Sequence, residues 1–569
     1  MANSSATVKE LVDKVKHNEI RLPEMQRGYV WKSTQVRDLI DSLYRGYPAG
    51  NLLMWETTDG EVPATRNFAV EQSDTKHSMY SLLLDGQQRV TSLSRLLQGQ
   101  SFTVKTGGTL KDIDILFNMN HPDNLSTIEV EYNDDTDDSM DDDEPENIGL
   151  TRMKELTFMV ANNRMSNEKY WVSVKDIFNN PSNTDFLKRA GITNFDDPNY
   201  EKFSSRLQKV RDIQKYEFQL VTLDKNLSYE EVTEIFVRVN SLGTKLNGSD
   251  LALAQITAKW HGSLKLFEEF QNTCISNGWD VSIGLLVRAL IAIITGQAKF
   301  NTLSNISQKQ LSDGWTETKR AINFALDYLR GNAGVEGLSN ITSPYFIIAL
   351  AHLFSIKHYE ILPDDSNKLV KWFIIANAKG RYGRGSSETI LNQDLKCTTP
   401  DDLLAILQQQ VVNLDITESE ITGKTTKSGY FRTMFMAMRH FGAKDWNTNL
   451  AISSKNRDRK DKIEYHHIIP NDLLKRANVA PEKIDDMANL TFIGKVTNIK
   501  ISNQEPVKYL EEIIAKYGEK VLTPHCIPLD RNLWELNNYD LFLTTRRRMI
   551  TEIISEYIKD MTTRSTCAV

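Results

Sequence analysis

The side chains best suited to chemistry lie together in the last quarter of the chain. Ile463-Glu464-Tyr465-His466-His467-Ile468-Ile469-Pro470 is followed by Asn489-Leu490-Thr491-Phe492-Ile493 and then by Asn498. Breaking a phosphodiester at neutral pH takes an activated water and a cation that neutralises charge on the leaving oxygen. A neutral histidine on a short strand can deprotonate that water. One or two further N/O ligands on a facing element can hold a single Mg²⁺ or Mn²⁺ ion. The pattern predicts strand, loop, second strand, a turn at Gly494 and a helix bearing Asn498. A lone His pair before a proline turn is more often a buried structural feature. The joint spacing of HHIIP, NLTFI and TNI tips the balance toward a nuclease.

Just upstream, Lys455-Asn456-Arg457-Asp458-Arg459-Lys460-Asp461-Lys462 carries five basic residues and two acids. Alone it reads equally as a solvated loop. Beside a phosphodiester-cleaving motif, Lys455, Arg457, Arg459, Lys460 and Lys462 become candidates for gripping a DNA backbone. Arg546, Arg547 and Arg548 are weaker candidates, suited also to ion pairs.

The C-terminal pattern resembles the ββα-metal, or HNH, nuclease family, and His467 to Pro470 match its His-Ile-x-Pro. That resemblance implies His467 as general base and His466 as a metal ligand. It implies Asn489 as the middle asparagine that positions the base or loop, and Asn498 as the last, metal-side residue. The last residue is Asn where many members have His, and the cysteine pairs that some use for zinc are absent. Whether Asn489 or Asn498 binds the metal stays open.

A second motif, Leu84-Asp85-Gly86-Gln87-Gln88-Arg89, falls between an apolar strand and an amphipathic helix. Glycine lets backbone N–H groups approach a ligand, and a helix N-terminus favours an anion. Gln87, Gln88 and Arg89 add donors for phosphate oxygens, and Asp85 can hold a cation or polarise water. This makes a phosphate cradle distinct from a Walker A loop, since GxxxxGK[ST] is absent. Leu22 to Trp31 and Phe236 to Leu246 are non-periodic polar and aromatic stretches; singly, Trp31 reads as core and Gly243 as a helix C-cap.

Together these segments resemble the N-terminal domain of GmrSD-type restriction enzymes, which shows QRxYxW, DGQQR and FxRxNxxGxxL in that order. Here they stand as Gln26-Arg27-Gly28-Tyr29-Val30-Trp31, Asp85 to Arg89, and Phe236 to Leu246, with Gly380-Arg381-Tyr382 and Ser386-Ser387 as a further element. The resemblance implies a ParB/sulfiredoxin-like fold and a usual C-terminal HNH partner. It implies restriction of modified phage DNA, with nucleoside triphosphate (GTP or ATP, unresolved) bound and hydrolysed in the N-terminal domain. Asp85, Gly86, Gln87, Gln88 and Arg89 would then serve the NTP, with Gln26, Arg27, Tyr29, Arg238 and Asn240 beside them.

These motifs need elements to position them. Apolar spacing predicts helices over Thr34–Tyr44 and Gln87–Leu97, and strands over Asn51–Trp55, Met79–Leu84 and Glu217–Leu223. Ser228 and Glu231 form a capping-box signature, after which helices follow over Leu251–Trp260, Ile283–Thr295, Trp315–Leu329, Pro344–Phe354 and Lys368–Ala378. Thr417–Gly429 reads as a linker, and a final helix runs from about Tyr539 to Lys559. The expected fold is multidomain α+β. A ParB/sulfiredoxin-like α/β domain (1–225) precedes a mainly helical region (226–420) and a C-terminal ββα-metal nuclease domain (421–569).

At 569 residues, several domains are expected. The apolar stretch Ile283–Thr295 is interrupted by Arg288 and too short to span a bilayer, so no membrane partner is expected. No apolar leader is seen, and four scattered cysteines fit a reducing cytoplasm. The net charge of −7 is misleading: Glu131 to Glu146 holds ten acidic and no basic residues, which leaves −7 + 10 = +3 elsewhere. From residue 421 onward 24 Lys/Arg face 18 Asp/Glu, a balance of +6 compatible with double-stranded DNA. One HNH site cuts one strand per engagement, so a double-strand break implies a homodimer or two visits. The competing reading is a nucleotide-dependent DNA-binding module, or an NTPase with an inactive HNH fold.

Overall fold

The structure, a computed structural model, describes residues 2–24, 29, 31–58, 65–75, 77–106, 109–123, 155–162, 165–242, 248–456 and 462–563. The acidic run at 131–146 and Gly243 lie outside them. The chain divides into two compact units, Met1–Leu264 and Lys265–Val569.

Alternating side chains build the first unit. Strands β1 (Ala2–Thr7), β2 (Ile20–Pro23), β3 (Leu52–Thr58), β4 (Thr65–Arg66) and β5 (Met79–Asp85) are followed by the hairpin β6 (Phe102–Thr106) and β7 (Thr109–Ile113). A small sheet of β8 (Ile115–Asn118), β9 (Phe158–Val160) and β10 (Trp171–Ser173) comes next, and then β11 (Glu217–Leu223). The main sheet is mixed, in the order β1-β11-β3-β5-β2-β4. Helices α1 (Val8–Lys16), α2 (Ser33–Arg45), α3 (Gln87–Leu97) and α4 (Tyr200–Arg211) share a core with Leu52, Met54 and Leu83. The intervening residues Leu53, Trp55, Leu82 and Leu84 face the other way. There they meet Val232 and Phe236 of α5 (Tyr229–Leu242) and Ala254 and Ala258 of α6 (Gly248–Lys259). The sheet is therefore covered on both faces. The capping box at the start of α5 forms: Ser228 N donates to Glu231 and Glu231 N donates to Ser228.

The second unit is mainly helical. α7 (Ile283–Thr295), α8 (Gln308–Ala333), α9 (Tyr345–Ile356) and α10 (Pro363–Ala378) pack through nearly continuous apolar surfaces. Arg288 is tolerated in α7 because it reaches the Ala298 carbonyl at 2.8 Å and Glu388 at 2.6 Å. α8 runs well beyond the apolar stretch Trp315–Leu329. A Ser307–Gln310 capping box starts it and Gly334, at φ 64°, stops it. The elements that frame the histidine pair are α11 (Gly429–His440), β12 (Ile463–His467), α12 (Asn471–Arg476), β13 (Leu490–Gly494), α13 (Lys495–Ile501), α14 (Pro506–Tyr517) and α15 (Tyr539–Thr563).

The expected linker at Thr417–Gly429 is instead packed structure. Glu418–Ile421 is a capped helical turn, Glu420 pairs with Lys379 at 2.5 Å, and Gly423 N donates to Asp486 at 2.9 Å. Its Thr/Gly/Lys composition hid partners contributed by distant residues. Among the described residues no helix is long and apolar enough to cross a membrane.

Candidate active site

Period-two geometry decides which residues of β12 share a face. The strand pairs antiparallel with β13, with His466 opposite Thr491 and His467 opposite Leu490. Gly494 ends β13 and caps α13, so Asn498 arrives one turn into that helix. Asn498 Oδ1 lies 2.8 Å from His466 Nδ1, and Asn498 Nδ2 donates to Glu464 Oε2 at 2.9 Å. Glu464, His466 and Asn498 thus form one group from a strand and the following helix.

His466 is buried, and burial pushes its pKa down to about 4, against a smaller upward pull from Asn498. Its Nε2 lies 3.4 Å from the Tyr509 hydroxyl, which itself donates to the Ile468 carbonyl at 2.7 Å. Since the amide oxygen only accepts, the 2.8 Å contact puts the His466 proton on Nδ1, which donates to Asn498 Oδ1. Glu464, only half-buried, is the open side of the group and also faces Lys495 at 3.8 Å. Imidazole, amide oxygen and carboxylate are donors of the kind a divalent cation takes, with the Nδ1 proton given up on binding. Among the described residues no three His, Cys, Asp or Glu side chains form a cluster that could hold a metal ion.

His467 points elsewhere. Its side chain is 26 % exposed and Nε2 lies 3.0 Å from Asp485 Oδ1. An ionised carboxylate only accepts, so Asp485 fixes the proton on Nε2 and leaves Nδ1 with a lone pair.

Asn489 is fully buried and its amide is spent on backbone. It accepts from Ile469 N at 3.0 Å and donates to the carbonyls of Ile469 and Ile484 at 3.0 and 3.2 Å. It staples the His-Ile-Ile-Pro turn to the loop before β13, with no polar atom left over for a cation.

Asp445 locks the start of α13. It accepts from Gly494 N at 2.7 Å and from the Thr497 hydroxyl at 2.8 Å, as well as from Thr448. Burial favours its neutral form, but these hydrogen bonds outweigh it and hold the carboxyl below the usual range. On α15, Arg546 is fully buried with its guanidinium on the carbonyls of Cys526, Ala488 and His525. Arg547 pairs with Asp486 at 2.6 Å, whereas Arg548 is exposed. Of the basic run, Lys455 and Lys462 are exposed; Arg457, Arg459 and Lys460 lie outside the described residues.

In the first unit, β5 delivers Asp85 to the N-terminus of α3 through Gly86 at φ 96°. A Cβ at Gly86 would meet Leu52 Cδ2 at 2.1 Å. Arg89 donates to Asp85 at 3.0 Å and to the Ala49 carbonyl at 2.6 Å, tying the strand–turn–helix to the loop before β3. Gln88 accepts from Trp31 N at 3.3 Å, and the Tyr29 hydroxyl lies 2.9 Å from Ser92. Tyr29, Trp31, Asp85, Gln88 and Arg89 are therefore gathered, and Gln87 is buried beside them. Arg238 sits on α5, which covers the opposite sheet face, and pairs with Glu234 at 2.5 Å. Gln26, Arg27 and the side chain of Asn240 lie outside the described residues. The Gly380-Arg381-Tyr382 element is internal: Arg381 and Tyr382 both bond Asp394 in a buried cluster.

Sequence reasoning missed Glu464, Asp485, Tyr509 and Asp445. Only Glu464 carried a readable signal, two positions before His466 on a strand.

Residues 8–257 match the family model described as GmrSD restriction endonuclease, N-terminal domain. The chain is also 23 % identical over 566 residues to an uncharacterized protein of Methanocaldococcus jannaschii, across 92 % of this chain and 89 % of that protein.

Proposed function

We propose that this chain, whose N-terminal region is similar to that of GmrSD restriction endonucleases, is itself an NTP-regulated, metal-dependent endonuclease. Its targets are modified foreign DNA, nicked or cut in defence, and its nuclease site is of the HNH kind. The observation that carries the reading is the split of the histidine pair. His466 faces Asn498 and Glu464 on one side of β12, and His467 faces Asp485 on the other.

On this reading Glu464, His466 and Asn498 hold one Mg²⁺ or Mn²⁺, and Asn489 positions the turn. The ion supplies charge neutralisation at the departing ester oxygen. His467 Nδ1 takes a proton from water, the water oxygen bonds to phosphorus, and the P–O bond to the leaving strand end breaks. Asp485 stabilises the imidazolium that forms and keeps the tautomer correct. The strand–Gly86–helix unit, in a ParB/sulfiredoxin-like domain, cradles the phosphates of GTP or ATP at the α3 N-terminus.

The test incubates purified protein with plain and modified plasmid, with Mg²⁺ or Mn²⁺, and with or without each NTP. Metal-dependent cutting that responds to NTP or modification, and is lost in His467→Ala, is expected. Undiminished cutting by that variant removes His467 from its role.

One observation favours a second reading, a nucleotide-dependent DNA-binding module. No cluster of three charged or imidazole ligands exists among the described residues. Calorimetry with Mn²⁺ that gives no heat for either wild type or His466→Ala selects that reading.

A further inference from the structure

We infer that the cavity beside His467 receives one nucleotide of the cut strand, next to the scissile phosphate. This rests on the nuclease reading of His467.

The cavity, of about 550 Å³, is bounded by Asn471, Lys475, Asn478, Pro481, Ile484 and Asp485. Asp485 is a shared wall, since the same side chain bonds His467 at 3.0 Å. An occupant therefore lies one side chain away from the general base. The volume falls in the range of about 300–1,000 Å³ typical of small-ligand sites, enough for a nucleoside but not a duplex.

The lining suits that occupant. Val479, Ala480 and Pro481 offer apolar surface to a base or sugar face. Asn471 and Asn478 add polar side chains to the lining. Asn478 sits at φ 55° in a left-handed turn that carries its amide to the rim.

Charge then sets the orientation. Lys475 and its neighbour Arg476 are exposed in the last turn of α12 and make no ion pair among the described residues. Nearby cations are paired: Lys483 with Asp540, Lys495 with Glu464, and Arg547 with Asp486. Asp485 repels a phosphate from the interior, whereas Lys475 attracts one at the rim. The neutral nucleoside goes in and its phosphate stays outside.

The experiment uses the full chain with Lys475→Ala, Lys475→Arg, Asn471→Ala and Asn478→Gly, the last preserving the left-handed backbone. In steady-state cleavage of a fluorescein-labelled modified duplex, Lys475→Ala raises KM about tenfold with little change in kcat. Lys475→Arg restores KM, and the two asparagine variants raise it. In a parallel arm the same changes are made in a His467→Ala background. Binding of the duplex is followed there by anisotropy in Ca²⁺, and Lys475→Ala lowers the slope of log affinity against log salt by about one. KM and affinity within twofold of wild type in every variant overturn the subsite and leave the nuclease reading intact. A wild-type protein that cuts nothing removes the nuclease reading, and the anisotropy arm alone then decides whether the cavity holds DNA.

Discussion

His466 Nδ1 and Asn498 Oδ1, separated by 32 positions in sequence, stand 2.8 Å apart. Three features bring them together: the turn stapled by Asn489, the antiparallel pairing of β12 with β13, and the Gly494 cap held by Asp445. The group of Glu464, His466 and Asn498 is thus a product of backbone geometry rather than of neighbouring residues.

On the proposed mechanism, replacing His467 by alanine removes the proton acceptor and is expected to lower cleavage by about 10²–10⁴-fold, the usual worth of a general base. The NTP hydrolysis proposed for the first unit is expected to continue at the wild-type rate. Single-turnover cleavage and phosphate release, measured on one preparation, separate the two activities.

Asn489→Ala acts through stability. It leaves one backbone N–H and two carbonyls without their amide partner in a buried turn. A loss of about 3 kcal/mol is expected, read as a lower denaturant midpoint for the second unit. A variant as stable as wild type would refute the stapling role.

Gly86→Ala strains the other motif. The φ of 96° disfavours an L side chain, and the new methyl meets Leu52 at 2.1 Å. Destabilisation of the first unit by about 2 kcal/mol or more is expected, together with weaker NTP binding. Calorimetric melting with and without nucleotide reads both effects.

Acid destabilises both units. Burial lowers the pKa of His121 in the first unit, and of His466 and His525 in the second, from 6.5 to about 4. Below pH 6.5 the unfolded chain takes up protons that these buried imidazoles refuse. Stability is full above that pH and is lost progressively as pH falls toward 4. A melting temperature that stays level between pH 6.5 and 4 contradicts this account.

Local patterns were legible from sequence. The helix Gln87–Leu97, the strand Glu217–Leu223 and the helix Ile283–Thr295 carry their apolar period and end signals within their own residues. The histidine pair was also legible, because residue type and spacing are visible in one dimension. Asp445, Asp485 and Tyr509 were not. Each reaches the site from another part of the chain, 49, 18 and 43 positions from its partner. A lone Asp or Tyr carries no mark of such a destination. The packed segment at Thr417–Gly429 was hidden for the same reason, since Asp486 and Lys379 complete it from afar.

The guanidinium of Arg546 has an implication for the order of events in the cell. The carbonyls it satisfies belong to Ala488, His525 and Cys526, and that of Ala488 immediately precedes the stapling asparagine. During translation the histidine strand leaves the ribosome long before Arg546 does. Until α15 follows, the loop that shapes the site has buried carbonyls with nothing to answer them. A nascent chain or a truncated product that lacks α15 therefore carries the histidine pair without its finished frame.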